Sequence, residues 1–167
     1  MRNKNQLTLY TTRGALIAAL YVVLTLLANL FGLASGTIQF RISEALCILP
    51  LFFPEAIPGL TIGCIISNLL ANGEPGDIIL GSLATLIGAF GTRLLMWLPE
   101  KFKWVCTIPT ILSNMIIIPF VLIFIYQLEG LYFLHMTWVG IGEIVCAGIG
   151  GSALYYVLKK YEKQWLR

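Results

Sequence analysis

From Gly14 to Leu33 the chain runs for twenty residues without a charged side chain, about the length an α-helix needs to cross the hydrocarbon of a bilayer. The run is too long for the core of a signal peptide, and no clear small-residue cleavage pattern follows it, so it is read as a first retained span. Met1 to Thr12 ahead of it are polar and lightly basic. Five more apolar stretches follow: Ile42 to Phe53, Ala56 to Leu70, Ile78 to Leu98, Val105 to Tyr126 and Met136 to Leu158. Only 11% of residues are charged and 58% are apolar, against about 25% charged in a typical soluble protein. These features predict an all-α fold, a bundle of six transmembrane helices forming one integral membrane domain over residues 1–167, with lipid as its solvent.

The second stretch is short and bounded by Pro50 and Pro54. Two arrangements fit residues 38 to 70, a pair of short helices or one broken helix, and the second span could also begin earlier, near Thr37. Orientation follows from the basic residues. Under a six-span map Arg2, Lys4, Arg13, Lys101, Lys103, Lys159, Lys160, Lys163 and Arg167 fall on one side, and little beyond Arg41 falls on the other. Both termini are therefore expected in the cytoplasm, with the loops near residues 34–41, 71–77 and 127–135 outside.

Several function classes have no support in the residues. There is no Walker A pattern, no His-Glu-x-x-His and no Gly-x-Ser-x-Gly, so an ATP-powered process would need its motor in another protein. Cys47, Cys64, Cys106 and Cys146 stand singly and read as small hydrophobes in helix packing, with no cofactor or metal implied. The net charge of +3 comes mostly from the termini, which points to membrane orientation and not to nucleic acid.

Polar groups inside spans are expensive, so each needs a partner or a purpose. Thr61, Cys64 and Asn68 share one face of the third span, and Asp77, Gly81, Thr85 and Gly88 share one face of the fourth. Two such faces can meet as a cavity or as a close helix contact, the role also read for Gly59 and Gly63. Asn68 and Asp77 carry hydrogen-bonding capacity that packing does not require. Glu143, flanked on its face by Gly140 and Ala147, either binds a ligand or pairs with Arg41. Arg41 could instead pair with Glu44, three residues on. Asn114, between Pro109 and Pro119, sits where the helix could loosen, and either contacts ligand or bonds a neighbouring helix. His135 reads as an interfacial histidine, and Trp97, Trp104 and Trp138 as part of an aromatic belt. Ala15 and Ala19, beside Gly14 and Ala18, form a smooth face on the first span.

Four segments together carry a family resemblance: IQFRISEAL from Ile38 to Leu46, EAIPGLTIGCIISNLL from Glu55 to Leu70, GDIILGSLATLIGA from Gly76 to Ala89, and IGEIVC from Ile141 to Cys146. In order and spacing they resemble the QueT-type substrate-binding components of energy-coupling factor transporters, over nearly all of the chain. The resemblance implies a six-helix subunit of the bacterial cell membrane that captures a 7-deazaguanine precursor of queuosine from outside. It also implies docking on a membrane scaffold protein driven by two ATPases, through an alanine-rich face that matches Ala15 and Ala19. The family pattern falls on Arg41, Glu44, Asn68, Asp77 and Glu143. A flat deazaguanine offers ring donors and one carbonyl acceptor, chemistry that carboxylates, an amide such as Asn68 or Asn114 and a stacking Trp138 would complement. The competing readings are a binding subunit for another vitamin-like molecule, an intramembrane enzyme, and a purely structural membrane subunit.

Overall fold

The computed structural model describes residues 4–33, 40–71 and 73–165, with side chains to 162. Among them every regular element is helical. Helix α1 spans Lys4–Leu30, a 3-10 helix spans Ile42–Leu51, α2 spans Ala56–Leu70 and α3 spans Pro75–Leu94. A second 3-10 segment, Glu100–Thr107, leads into α4, Ile108–Phe124. Helix α5, Tyr132–Glu143, passes through a π-helical segment, Ile144–Gly150, directly into α6, Gly151–Trp165.

Among the described residues four helical stretches are long and apolar enough to cross a membrane: Lys4–Leu30, Pro75–Leu94, Glu100–Phe124 and Tyr132–Glu162. Ile42–Leu51 and Ala56–Leu70 are shorter apolar helices. Residues 38 to 70 thus hold two helices, as far as they are described, and Thr37 lies outside the described residues. The break falls at Phe52 to Glu55, where Pro54 lacks the N–H that a continuing helix would use.

Several boundaries differ from those the sequence suggests. Helix α1 begins at Lys4, ten residues before the apolar run, because charge excludes a residue from hydrocarbon and not from a helix. Arg13 on this extension sits 3.6 Å from Glu55 and lies over the Phe53 ring, tying α1 to the start of α2. Helix α3 starts at Pro75, whose missing N–H is no loss at a helix N-terminus, and ends at Leu94, short of Leu98. Helix α4 runs unbroken through Asn114, with Pro109 in its first turn and Pro119 inside it. The prolines do not break the helix: Pro109 sits where no intrahelical donor is required, and Pro119 removes a single intrahelical donor.

The fold is apolar outside and polar within. Leu16, Ile79, Phe90, Ile116 and Ile149 are exposed, while Ser43, Glu44, Ser67, Thr85, Asn114 and Glu143 are buried. Lipid suits the first group, and mutual hydrogen bonding the second.

Glycines set how closely the helices approach. A Cβ on Gly59 would lie 2.6 Å from the Gly14 carbonyl oxygen, and one on Gly63 would lie 2.9 Å from both the Ala18 carbonyl oxygen and the Tyr21 Cβ. The matched order of these pairs makes α1 and α2 parallel, with the 3-10 helix Ile42–Leu51 returning the chain between them. Gly88 meets Thr110 and Gly91 meets Pro109 where α3 and α4 run antiparallel, and Gly140 meets Met115 between α4 and α5. Cysteines fill small gaps, all four being buried and unpaired.

Gly59→Ala should therefore force α1 and α2 apart and cost about 1–3 kcal/mol, the scale of overpacking. Gly148→Ala, whose added Cβ would meet only ordinary contacts starting at 3.5 Å, should stay within about 0.5 kcal/mol. Thermal unfolding of both variants in detergent checks the contrast.

Candidate functional site

The 3-10 helix Ile42–Leu51 brings a carboxylate into the middle of the bundle. Its three-residue repeat stacks Arg41, Glu44 and Cys47 in one row. Arg41 is the residue just before the helix, in extended conformation. At the other end, Arg93 of α3 donates to the carbonyls of Pro50 at 2.8 Å and Leu51 at 3.3 Å, satisfying acceptors that a helix C-terminus leaves over. Ten residues at about 2.0 Å rise reach some 20 Å, and most of the segment is buried.

Glu44 is 1% exposed, and its carboxylate only accepts hydrogen bonds. Tyr21 of α1 donates to Oε1 at 2.5 Å, while Cys47 donates to Oε2 at 3.2 Å and Asn114 of α4 at 3.3 Å. Nearby, Thr25 of α1 donates to Ser43 at 2.8 Å. Four segments thus converge here, because α5 places Glu143 beside the same Asn114 amide. Glu143 is buried, and its Oε2 has no hydrogen-bond partner. It sits where α5 passes into the π segment, a distortion that often accompanies functional sites.

A second group forms at the start of α3. Asp77 lies in the first turn, where the helix dipole favours a negative charge. Its Oδ2 accepts from Tyr126 at 2.9 Å, and its Oδ1 is buried without a partner. Asn68 of α2 lies against this turn, its Nδ2 3.1 Å from where a Gly81 Cβ would stand and 3.7 Å from Cys64 Sγ. The guanidinium of Arg41 is within electrostatic range of Asp77, Tyr21, Cys64 and Glu44, so it joins the two groups.

Neither ion pair considered for Arg41 forms. Among the described residues the ion pairs are Arg13–Glu55, Lys159–Glu100 and Lys159–Glu162. Glu44 spends its oxygens on Tyr21, Cys47 and Asn114, which leaves no close approach for Arg41, and Glu143 stays unpaired. Asn114 does make an interhelical hydrogen bond, to Glu44. The shared faces on α2 and α3 are buried at Cys64, Asn68, Asp77, Gly81, Thr85 and Gly88, and Gly140, Glu143 and Ala147 line up as buried neighbours.

Trp138 is half-buried on α5. Trp97 and Trp104 are exposed. His135 is buried, its Nε2 3.2 Å from the Glu129 carbonyl and its Nδ1 unpartnered. The first helix divides its small residues. Gly14 and Ala18 pack on Gly59 and Gly63, while Ala15 and Ala19 face outward. Among the described residues no cluster of three potential metal-ligating groups occurs.

Tyr21 and Tyr126 were not singled out from the sequence. Tyr21 belongs to the stripe Ile17, Ala18, Tyr21, Thr25 and Ala28 that α1 buries, and a phenol in mid-span within such a stripe is the signal that marks it. Tyr126 lies at a span end, where tyrosines are common for other reasons.

Tyr21→Phe would take one donor from a buried carboxylate. The expected loss is about 1–3 kcal/mol of stability, the cost of an unmet buried acceptor. Tyr126→Phe, at a 40% exposed position where water can replace the lost donor, should cost less. Melting temperatures of the two variants in one detergent decide the order.

A curated relative, the queuosine precursor transporter QueT of Lactococcus lactis subsp. cremoris (strain MG1363), is 41% identical over 91 residues, or 54% of this chain. The match spans about half, 53%, of that relative's length. No solved structure matches the chain. The QueT transporter family, however, matches residues 11–160, all but the first ten residues and the last seven. An all-helical chain with a polar interior and a family match of that extent belongs to the QueT transporter family.

Proposed function

We propose that this chain is the substrate-binding subunit of an energy-coupling factor importer in the bacterial cell membrane, and that it takes up a 7-deazaguanine precursor of queuosine. The observation that carries the reading is the pair of buried carboxylates, Glu143 and Asp77, each with an oxygen that nothing in the protein satisfies. An unmet buried acceptor is costly unless a ligand supplies the donor. A deazaguanine presents donors at N1 and its 2-amino group and an acceptor at O6. Glu143 accepts from the ring donors, Arg41 is the natural donor to O6, and Asn68 and Trp138 complete the edge and the stacking face. Glu44 and Asn114 hold the site's geometry from behind.

In this reading all six helical passages lie within the membrane. The two short ones, about 20 Å and about 22 Å long by helical rise, fall below the roughly 30 Å of hydrocarbon. Burial against the longer helices makes such short elements tolerable at membrane depth. Both termini face the cytoplasm, as the distribution of Lys and Arg supports. The QueT name of the relative supports the substrate class. The absence of any nucleotide-binding motif in the sequence agrees with a motor in partner ATPases, reached through a scaffold membrane protein. The outward face of Ala15 and Ala19 is the docking surface, since small residues let another helix come close.

Two outcomes test this. Glu143→Gln keeps the shape but turns one acceptor into a donor facing the ligand's donors. Truncating such a charged hydrogen-bonded pair typically costs about 2–5 kcal/mol, so titration calorimetry with the cyano and aminomethyl precursors should show affinity falling tens- to thousands-fold. Affinity equal to the parent's would make Glu143 structural. Replacing Ala15 and Ala19 together by Trp should abolish co-purification with the scaffold while ligand binding persists. A complex that survives the change places the docking face elsewhere.

A further inference from the structure

Away from the buried carboxylates, the second 3-10 segment, α4, the π segment and α6 border a groove of about 600 Å3. Trp104, Thr107, Ile111, Ile144, Ile149 and Ser152 line it. The Thr107 hydroxyl already donates to the Trp104 carbonyl at 2.8 Å. Water finds few partners in such a lining, so the fitting occupant is apolar. The rim is bulky, with Trp104, Ile144 and Ile149 each more than half exposed. Bulk of that kind keeps a second helix backbone at a distance, whereas an acyl chain is narrow enough to lie between such side chains.

Two rows of side chains lead from the groove to one end of the bundle. In the 3-10 segment Glu100–Thr107 the three-residue repeat stacks Thr107, Trp104 and Lys101. On α6 and the segment before it, steps of three and four place Ile149, Ser152, Tyr156 and Lys160 on one face. Both rows pass from the groove lining through an exposed aromatic to an exposed lysine. Hydrocarbon, interface and headgroups follow one another in that order in a bilayer. The rows finish side by side, because Lys159 bonds Glu100 at 2.8 Å, and Lys160 and Lys101 are the next residues along.

Charge at this end favours an anion. Lys101, Lys103, Lys159 and Lys160 stand against Glu100 and Glu162, and Lys159 engages both glutamates. Lys103 donates to the Met96 carbonyl at 2.6 Å. Lys101 and Lys160 lie over the rings of Phe102 and Tyr161, and neither forms an ion pair among the described residues. A phosphate at this end would meet two ammonium groups, each a strong donor to it.

We infer that the groove is a site for one anionic phospholipid, with an acyl chain between α4 and α6 and the phosphate at Lys101 and Lys160. The inference needs only the chain's place in a membrane, and the site shares no residue with the substrate site or the docking face proposed above.

The test is native mass spectrometry of the full-length chain, delipidated in a neutral detergent and titrated with phosphatidylglycerol or with phosphatidylcholine of the same acyl chains. One phosphatidylglycerol should bind about tenfold tighter than phosphatidylcholine or more, the scale of two lysines beside an anionic headgroup. Lys101→Gln combined with Lys160→Gln should remove most of that difference. Gly148→Leu puts a side chain into the groove from a position where a Cβ meets only ordinary contacts, from 3.5 Å, and should weaken both lipids several-fold. Ser152→Leu takes its place if that variant does not purify. Equal binding of the two lipids by the parent, or a difference unchanged in the lysine variant, overturns the headgroup site. Affinities unchanged by filling the groove overturn the acyl-chain site. A chain that retains neither lipid has no such site, and a dimer broken by Gly148→Leu would give the groove to a second copy instead.

Discussion

A carboxylate held inside a membrane bundle must have its donors brought to it, because lipid offers none. Glu44 meets that demand with a phenol from α1, a thiol from its own 3-10 helix and an amide from α4. Each donor lies on a different element, so the hydrogen bonds act as a three-way tie that fixes α1, the 3-10 helix and α4 relative to one another. Asn114 extends the tie to Glu143 on α5. The Asn114 amide that helps make Glu44 tolerable also lies beside Glu143, one of the two carboxylates with an unpartnered oxygen.

Such convergence requires close backbones. Tyr21 can reach Glu44 because Gly63 lets α2 lie against its Cβ, and Gly59 lets Gly14 approach one turn earlier. On the other side of the site Gly81 leaves room for the Asn68 amide beside Asp77. In water an apolar core would drive these helices together. Between lipid-facing helices that gain is absent, and close packing together with interhelical hydrogen bonds takes its place. The glycines and the polar cluster are two halves of one device: the first brings helices near, the second gives them a reason to stay.

Much of this was legible in the sequence. The helix Ala56–Leu70 has the bounds its apolar stretch suggests, and the faces carrying Asn68 and Asp77 meet at Gly81. Side-chain partnership was less legible. Arg41 and Glu44 are close enough in sequence to suggest an ion pair, yet Glu44 is claimed by Tyr21 and Asn114, residues 23 and 70 positions away. No local pattern encodes a contact of that range. The start of α1 differs because hydropathy reports where lipid is, whereas the helix continues through Lys4 to Arg13, polar residues that a helix tolerates and hydrocarbon does not. The π segment after Glu143 likewise has no signature in composition beyond its glycines.

The proposed reading, a receptor for a small, donor-rich molecule, rests on a bundle that is apolar outside and polar within, on membership in a transporter family, and on two buried acceptors without donors. The most direct measurement is native mass spectrometry of the purified chain after incubation with an equimolar mixture of the cyano and aminomethyl deazaguanines. The account predicts a one-to-one adduct with the mass of a 7-deazaguanine, released on denaturation and identified by fragmentation. A chain that retains neither compound while remaining folded, or that carries instead a molecule lacking the deazaguanine ring, would contradict it.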